Sequence, residues 1–316
     1  MREKGWASLP ETSKTRVLVL GKSGQLAQAL SRARHPDASV ICAGRPELDL
    51  ENPASIRSTI ARHAPDVVIN AGAFTAVDRA ESEPESAMAI NAKGAGNAAT
   101  ACKEAGLPII HISTDYVFSG NKAAPYVESD PTGPINAYGR SKLAGEAEVA
   151  ACNPAHVILR TGWLYAPWGT NFARTMMRLA QEREIVRVVS DQFGTPTYVP
   201  HLAETILRVA LTGAKTPDRR GVFHAASSGE GNWADFAERL FAASKRLGGP
   251  YARVDRIGSA DYPTPAARPA YSVLSTTKLH AAFGLELPAW QASADAFVEI
   301  YLRDASTAPV LPSPVA

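Results

Sequence analysis

Tyr138 and Lys142, two residues that can take part in proton transfer, lie four positions apart in the segment Asn136-Ala-Tyr-Gly-Arg-Ser-Lys142. On a helix this spacing places both side chains on one face, one turn apart. An ammonium beside a phenol favours the phenolate, so we expect the pKa of Tyr138 to fall from about 10 toward neutrality. Such a phenol exchanges a proton with a carbonyl or an alcohol. The same spacing also occurs by chance on surface helices, so the interpretation depends on the rest of the chain.

A glycine turn near the start of the chain has the pattern of a dinucleotide-binding site. The apolar run from Arg16 to Gly21 predicts a buried strand, and Gly24-Gln25-Leu26-Ala27 then opens a predicted helix. Glycines let the backbone approach a pyrophosphate, and a helix N-terminus supplies oriented N–H donors. The alternative is an ordinary strand-to-helix turn. We expect Gly21, Gly24, Gln25 and Leu26 to contact a nicotinamide dinucleotide.

The end of the second predicted strand bears on the choice between NADPH and NADH. Sites selective for NAD place a carboxylate here for the ribose 2′-hydroxyl, whereas this chain has Gly44 and Arg45. A guanidinium suits the 2′-phosphate of NADPH, so we expect NADPH, with NADH possible if Arg45 is only a solvated loop residue. Asp49 is a candidate for contact with the adenine edge.

A later predicted strand, from Leu107 to Ser113, leads into Thr114 and Asp115. In open α/β sheets ligands bind outside the carboxyl ends of the strands. A hydroxyl at that edge can hydrogen-bond the substrate oxygen that Tyr138 protonates. Thr114 is therefore a third candidate catalytic residue.

The order of predicted elements indicates an α/β fold with a doubly wound parallel Rossmann sheet and a smaller, irregular C-terminal substrate domain. We expect residues 16–164 plus about 192–226 to form the cofactor domain. Residues from about 165–191 plus 227–303 would form the substrate domain. The flanking segments 1–15 and 304–316 are expected to be disordered.

The charge, cysteine and histidine content of the sequence excludes several kinds of partner and site. The 33 Lys and Arg residues nearly balance 31 Asp and Glu residues, for a net charge of +2, without basic runs or acidic tails. This indicates neither a nucleic-acid nor a polybasic membrane partner. Three scattered cysteines and seven histidines without ligand spacing predict neither disulfides nor a metal site. With no signal peptide or membrane span in the sequence, we expect a cytoplasmic protein.

Several strings together resemble extended short-chain dehydrogenases/reductases, and specifically the dTDP-4-dehydrorhamnose reductase branch. The glycine turn, Thr114 and the Tyr138-x-x-x-Lys142 pair carry the wider resemblance. The narrower one rests on Gly24-Gln-Leu, Asn70-Ala-Gly-Ala-Phe-Thr-Ala-Val-Asp78, Ser113-Thr-Asp-Tyr-Val-Phe118, Asp191-Gln-Phe-Gly-Thr-Pro-Thr197 and Ala267-Arg-Pro269. The resemblance runs from about Arg16 to about Leu302.

This resemblance implies an enzyme that uses NADPH to reduce the 4-keto group of a dTDP-linked 6-deoxy sugar. Tyr138 would donate the proton, Lys142 would lower the phenol's pKa and hold the nicotinamide ribose, and Thr114 would polarise the carbonyl. Further implied cofactor contacts are Asp49, Leu50, Ala73, Phe74, Thr75 and Tyr138. Implied substrate contacts are Thr114, Asp115, Trp163, Asn171 and Arg268.

Two departures from the family pattern and two alternative functions remain open. Pro269 stands where many relatives have a second arginine, and the C-terminal helix lacks a convincing glutamate cluster for a magnesium-linked dimer, so no metal is predicted. Monomer and homodimer are both possible. One alternative is an epimerase or dehydratase, although Tyr116 replaces the glutamate expected for elimination. The other is a non-catalytic NADP-binding subunit such as the regulatory beta subunit of methionine adenosyltransferase.

Overall fold

The structure of the protein is a computed structural model that describes residues 14–212 and 216–307, with side chains described as far as 304. The predicted terminal segments therefore lie largely outside the described residues. The prediction of disorder was wrong at the described ends of these segments. Thr15 already begins the first strand, and the last helix continues to Thr307.

The helices alternate with the strands through the first half of the chain. The strands are β1 Thr15–Leu20, β2 Ala38–Ala43, β3 Val67–Asn70, β4 Ile109–Thr114, β5 His156–Thr161, β6 Leu164–Tyr165, β7 Ile185–Val189, β8 Phe193–Gly194, β9 Thr197–Tyr198, β10 Gly221–His224, β11 Ser227–Ser228, β12 Gly231–Asn232, β13 Arg253–Ile257 and β14 Leu287–Ala289. The helices are α1 Gln25–Arg32, α2 Pro53–His63, α3 Val77–Ser82, α4 Pro84–Met88, α5 Gly94–Glu104, α6 Ala137–Cys152, α7 Phe172–Glu182, α8 Val199–Thr212, α9 Trp233–Arg246, α10 Thr277–Phe283 and α11 Trp290–Thr307. A π-helical turn, Ala89–Lys93, joins α4 to α5.

Six strands form the central sheet in the order β10-β5-β4-β3-β1-β2, and every neighbouring pair is parallel. The chain first moves from β1 to β2 at one edge and then crosses to β3 on the other side of β1. The carboxyl ends of β1 and β3 therefore flank the point where the winding direction changes, which is where ligands bind in such sheets.

Helices cover both faces of the sheet, which confirms the predicted doubly wound α/β fold. On one face α1 and α8 pack against β1 and β3 through buried leucine and isoleucine side chains such as Leu30 and Ile206. On the other face α2, α5 and α6 pack through residues such as Ile56 and Val149. Strands buried on both faces explain the continuous apolar runs in the sequence.

A second hydrophobic cluster holds the C-terminal elements together. It joins α7, α9 and α11 to β7, with Met177, Leu240 and Phe297 fully buried. The cluster does not follow the predicted division of the chain throughout. Tyr198 of the predicted cofactor domain belongs to it, whereas Leu287 of the predicted substrate domain packs in the cluster of the central sheet. The boundaries of the domains remain a prediction.

Close packing fixes the position of α6, the helix that begins just before Tyr138. A Cβ atom at Gly145 would lie 2.1 Å from the carbonyl oxygen of Asn91, and one at Gly139 would lie 2.2 Å from that of Tyr116. Glycine is required at both positions because the backbones approach too closely for any side chain. The side chain of Asn136 caps the helix by accepting a 2.7 Å hydrogen bond from the Gly139 N–H.

Among the described residues, no helix is both long and apolar enough to cross a bilayer. In the same part of the chain, no three His, Cys, Asp or Glu side chains are grouped as a metal site would require.

Candidate active site

A cleft of about 380 Å³ lies at the carboxyl ends of β1, β3, β4 and β5. Ten of the residues predicted from the sequence line it: Gly24, Gln25, Leu26, Ala73, Thr75, Thr114, Asp115, Tyr138, Lys142 and Trp163. The predicted glycine turn and the predicted catalytic residues therefore share one cavity at the switch point of the sheet.

The glycine turn has the shape that a pyrophosphate needs. Gly21 has φ of 136°, a conformation that favours glycine, and a Cβ atom there would lie 3.2 Å from the backbone nitrogen of Gly72. Gly24 precedes α1 without a side-chain cap, and no atom lies within 4 Å of where its Cβ would be. Gly24, Gln25 and Leu26 line the cleft at this uncapped helix start, and the turn fits a dinucleotide phosphate.

Three other predicted cofactor residues lie near the cleft without lining it. Leu50 packs beneath the backbone of the β3 end, where a Cβ atom at Gly72 would lie 2.9 Å from Leu50 Cδ1. Phe74 is buried, and its backbone N–H donates a 2.8 Å hydrogen bond to Asn91 Oδ1. Gly21 lies at the base of the turn, so its contribution is the shape of the backbone.

Arg45 is already paired with carboxylates. Its Nε lies 2.9 Å from Asp49 Oδ2, and its Nη2 lies 3.1 Å from Glu51 Oε2. The side chain is 65% exposed, so these ion pairs contribute little to stability. The Arg45 guanidinium is charged and lies beside the end of β2, where it is paired with Asp49. Neither Arg45 nor Asp49 lines the cleft. The predicted contacts of both residues with the cofactor remain predictions.

Tyr138 differs from its predicted electrostatic state. Burial raises the pKa of its phenol to about 12, while a hydrogen bond with the Thr114 hydroxyl lowers it and the charge of Asp115 raises it further. The predicted fall of this pKa toward neutrality is therefore wrong for this structure. Desolvation of the phenolate outweighs the effect that we assigned to Lys142.

Lys142 makes other contacts than the predicted one with the phenol. Its Nζ donates a 2.6 Å hydrogen bond to the carbonyl oxygen of Ile112 and lies 3.4 Å from Nε2 of His111. Burial lowers the pKa of Lys142 to about 8, against an opposing effect of Glu146. Glu146 is itself in a buried ion pair with Arg160, at 2.7 Å, and accepts a short hydrogen bond from Ser113.

Thr114, Asp115 and Ser272 form a buried polar network beside the phenol. The Thr114 hydroxyl donates a 3.0 Å hydrogen bond to Asp115 Oδ1, and Ser272 Oγ donates one of 2.7 Å to Asp115 Oδ2. Burial raises the pKa of Asp115 to about 6, although both hydroxyl hydrogen bonds lower it. No local pattern predicted Ser272, which lies 157 positions from Asp115 in the chain.

The far wall of the cleft carries two stacked indoles. The rings of Trp163 and Trp233 lie 3.5 Å apart and are parallel within 1°. Trp163 has φ of 52°, and a Cβ atom at Gly194 would lie 2.4 Å from its ring. Sequence reasoning missed Trp233, because an aromatic residue at a helix start has no distinctive spacing. The stack offers a flat apolar surface to a ligand.

Asn171 and Arg268 lie outside the lining of the cleft. Asn171 caps α7 and donates a 2.9 Å hydrogen bond to Gln25 Oε1, so it contacts the glycine-turn segment. Arg268 forms a bidentate ion pair with Asp78, at 3.0 and 2.9 Å. Their predicted contacts with substrate remain predictions.

Comparison with known proteins agrees with this geometry. Residues 15–303 match the sequence model of the RmlD substrate binding domain family. A dTDP-4-dehydrorhamnose reductase of Sinorhizobium fredii is 45% identical over 280 residues, covering 88% of this chain and 95% of the relative. The reductase of that name from Escherichia coli K12 is 42% identical over 281 residues, covering 87% of this chain and 94% of its own.

A solved relative extends the agreement to the whole fold. The dTDP-4-dehydrorhamnose reductase of Bacillus anthracis, solved in complex with NADP, superposes with a TM-score of 0.85 at 34% identity, covering 91% of this chain and 99% of its own. The predicted family and enzyme class are therefore confirmed: the chain is an NAD(P)H-dependent oxidoreductase and belongs to the dTDP-4-dehydrorhamnose reductase family.

Proposed function

We propose that this chain uses NADPH to reduce the 4-keto group of dTDP-4-dehydro-β-L-rhamnose, which gives dTDP-L-rhamnose. The observation that carries the proposal is that Tyr138, Thr114 and the glycine turn line one cleft at the switch point of the sheet. A proton donor, a second hydroxyl and a dinucleotide cradle are the groups that reduction of a ketone requires. NADP in the Bacillus anthracis relative supports the cofactor.

Tyr138 is the proton donor in this proposal. A phenol whose pKa is about 12 is fully protonated at neutral pH, so it carries the proton that the reduced sugar oxygen needs. The bound cofactor supplies the hydride, and the protein supplies orientation and electrostatics. Lys142, which lines the same cleft, stabilises the phenolate that remains after the proton has left.

Thr114 and its network position the phenol of Tyr138. The single proton of the Thr114 hydroxyl points toward Asp115, so the Thr114 oxygen is available to accept a hydrogen bond from the phenol. We infer that this arrangement holds the phenol in the cleft before substrate arrives. The stacked indoles of Trp163 and Trp233 would then bind the apolar face of the sugar nucleotide.

Arg268 and Asn171 enter the proposal in different ways. Arg268 is 21% exposed beside the cleft wall and would bind the negatively charged diphosphate of the substrate. Asn171 has its amide nitrogen engaged by Gln25 and by the carbonyls of Ala166 and Trp168, so it would act by holding Gln25 in place. A nucleotide-sugar substrate and a nicotinamide cofactor are typical of cytoplasmic enzymes, so we expect the protein to act in the cytoplasm. We expect it to be a monomer or a homodimer.

A panel assay tests this function. Purified protein is mixed with NADPH and, in turn, with dTDP-4-dehydrorhamnose, other dTDP-linked 4-keto-6-deoxy sugars and their UDP-linked counterparts. Loss of NADPH absorbance that is fastest with dTDP-4-dehydrorhamnose supports the proposal. Faster loss with another sugar makes that sugar the substrate. NADPH binding without loss on any sugar would favour the regulatory subunit instead.

A further inference from the structure

His111 connects the sheet to the catalytic lysine through a buried chain of polar groups. Asn70 on β3 and His111 on β4 are register partners, and their side chains lie 3.2 Å apart, Nδ2 to Nδ1. Nε2 of His111 in turn lies 3.4 Å from Nζ of Lys142. The three residues are 1%, 1% and 2% exposed, so each polar atom depends on a partner within the protein.

The orientation of the Asn70 amide determines the direction of each hydrogen bond among these three side chains. Asn70 Oδ1 accepts a 3.3 Å hydrogen bond from the Gly72 N–H, which places its amide nitrogen toward His111. Nδ1 of His111 must therefore be the acceptor, and a neutral imidazole then carries its proton on Nε2. That proton points at Lys142. An ammonium has only donors, whereas an uncharged amine has a lone pair that accepts this N–H.

We propose that His111 is a positioning residue that favours the uncharged amine of Lys142 in the cofactor-free site, and that in mildly alkaline solution Lys142 takes up a solvent proton when the nicotinamide ribose becomes its partner. The proposal rests on the proposed function, since it requires the cofactor in this cleft. The ribose hydroxyl oxygens accept N–H bonds and the phosphates are anionic, and both favour the ammonium. At a pH near or above the Lys142 pKa of about 8, the ammonium would thus form mainly when the cofactor binds.

The charged groups around Lys142 agree with an amine that gains its charge when the cofactor binds. Glu146, one turn further along α6, favours the ammonium, but its carboxylate is occupied by Arg160 and Ser113. Burial of Lys142 and His111 disfavours a positive charge on either, and their charges would repel each other. The other titratable groups at this end of α6 are Tyr138 and Asp115, which line the same cleft.

Proton uptake on cofactor binding tests the proposal directly. NADPH is titrated by calorimetry into the Tyr138→Phe protein, in which the phenol contributes no proton, using two buffers of different ionisation enthalpy. At about pH 8.5 the 2′-phosphate is fully ionised, since its pKa is near 6. Because the pKa of Lys142 starts at about 8, we expect uptake of roughly half a proton or more there, vanishing below about pH 7.

Two substitutions separate positioning from general support of the fold. His111→Asn keeps an acceptor for Asn70 but removes the donor that faces Lys142, so uptake should fall by at least half. His111→Gln places an amide N–H near the lost Nε2 and should restore it. Circular dichroism checks that both fold, and the pH profile of the parent protein tests the proposal even if one does not.

The outcomes distinguish this inference from the proposed function. NADPH binding with no proton uptake from about pH 8 to pH 9 would overturn the inference and leave the function standing. Equal uptake by the His111→Asn protein and its parent would overturn the role of His111. Absence of NADPH binding would contradict the proposed function, and this inference with it.

Discussion

Arg268 and Asp78 lie 190 positions apart in sequence and form a bidentate ion pair next to Val77, which lines the cleft, with N–O distances of 3.0 and 2.9 Å. Asp78 lies in the first turn of α3, just beyond β3, and Arg268 comes from the C-terminal part of the chain. The backbone N–H of Ala266 donates to the same carboxylate at 3.2 Å. The pair therefore fastens the C-terminal segment to the central sheet beside the site.

Arg268→Ala should weaken binding of the sugar nucleotide more than it slows the chemical step. A charge-assisted hydrogen bond to an anion contributes about 1.5–3 kcal/mol, so we expect KM for the sugar nucleotide to rise by about tenfold or more with a smaller change in kcat. Steady-state kinetics measures both. Arg187→Ala, which removes an exposed arginine outside the cleft lining, serves as the matched control. A change confined to kcat would contradict a role in substrate binding.

Asp78→Asn tests the other half of the same pair. Because Asp78 is 44% exposed, its loss should lower the free energy of unfolding by only about 1 kcal/mol. Released from its partner, Arg268 would become mobile, and KM should rise by less than in Arg268→Ala. Urea unfolding and kinetics on the same preparation check both expectations. A larger rise in KM than in Arg268→Ala would show that Asp78 contacts the substrate itself.

Asp115 should make stability depend on pH in the acid range. Its pKa rises on folding from 3.8 to about 6, so the native state binds more protons than the unfolded state between these values. The unfolding free energy contributed by this group therefore falls as pH increases through that window and is constant above it. The free-energy difference between wild type and Asp115→Asn should fall by about 2–3 kcal/mol across the window. A difference that stays flat or rises would show that Asp115 is ionised throughout.

Arg45→Ala should change cofactor preference. Because the guanidinium is exposed and shared with Asp49 and Glu51, its contact with a 2′-phosphate is worth about 1 kcal/mol. We expect kcat/KM for NADPH to fall by about fivefold, with NADH unaffected. Asp49→Asn weakens the competing ion pair and should shift the preference toward NADPH. An equal fall in kcat/KM with both cofactors would mean that Arg45 supports the loop and makes no contact with the 2′-phosphate.

Local patterns in the sequence were sufficient to predict the central sheet and most of the residues that line the cleft. Apolar runs before Gly21 and Thr114 predicted strands, and the carboxyl-end rule then placed the glycine turn, Thr114 and Tyr138 at one edge of the sheet. In the segment 76–85, charges and Pro84 conceal the helix Val77–Ser82, so no local pattern predicted it. That helix carries Asp78 to its partner.

Tertiary context determined what the sequence did not predict. The pKa of Tyr138 depends on how deeply α6 is buried, and a four-residue spacing contains no information about burial. The packing of the C-terminal elements brings Trp233 to the cleft wall and Ser272 to Asp115, so no local pattern predicts either residue. His111 was read as part of a strand, and only the structure shows that its ring meets Lys142.

The most direct test of the central claim is the turnover of the Tyr138→Phe protein with NADPH and dTDP-4-dehydrorhamnose. If the phenol donates the proton, kcat should fall by about two orders of magnitude or more, while NADPH binding measured by fluorescence remains within about twofold of wild type. Turnover equal to that of the wild type would show that another group supplies the proton, and the mechanism proposed for this cleft would be wrong.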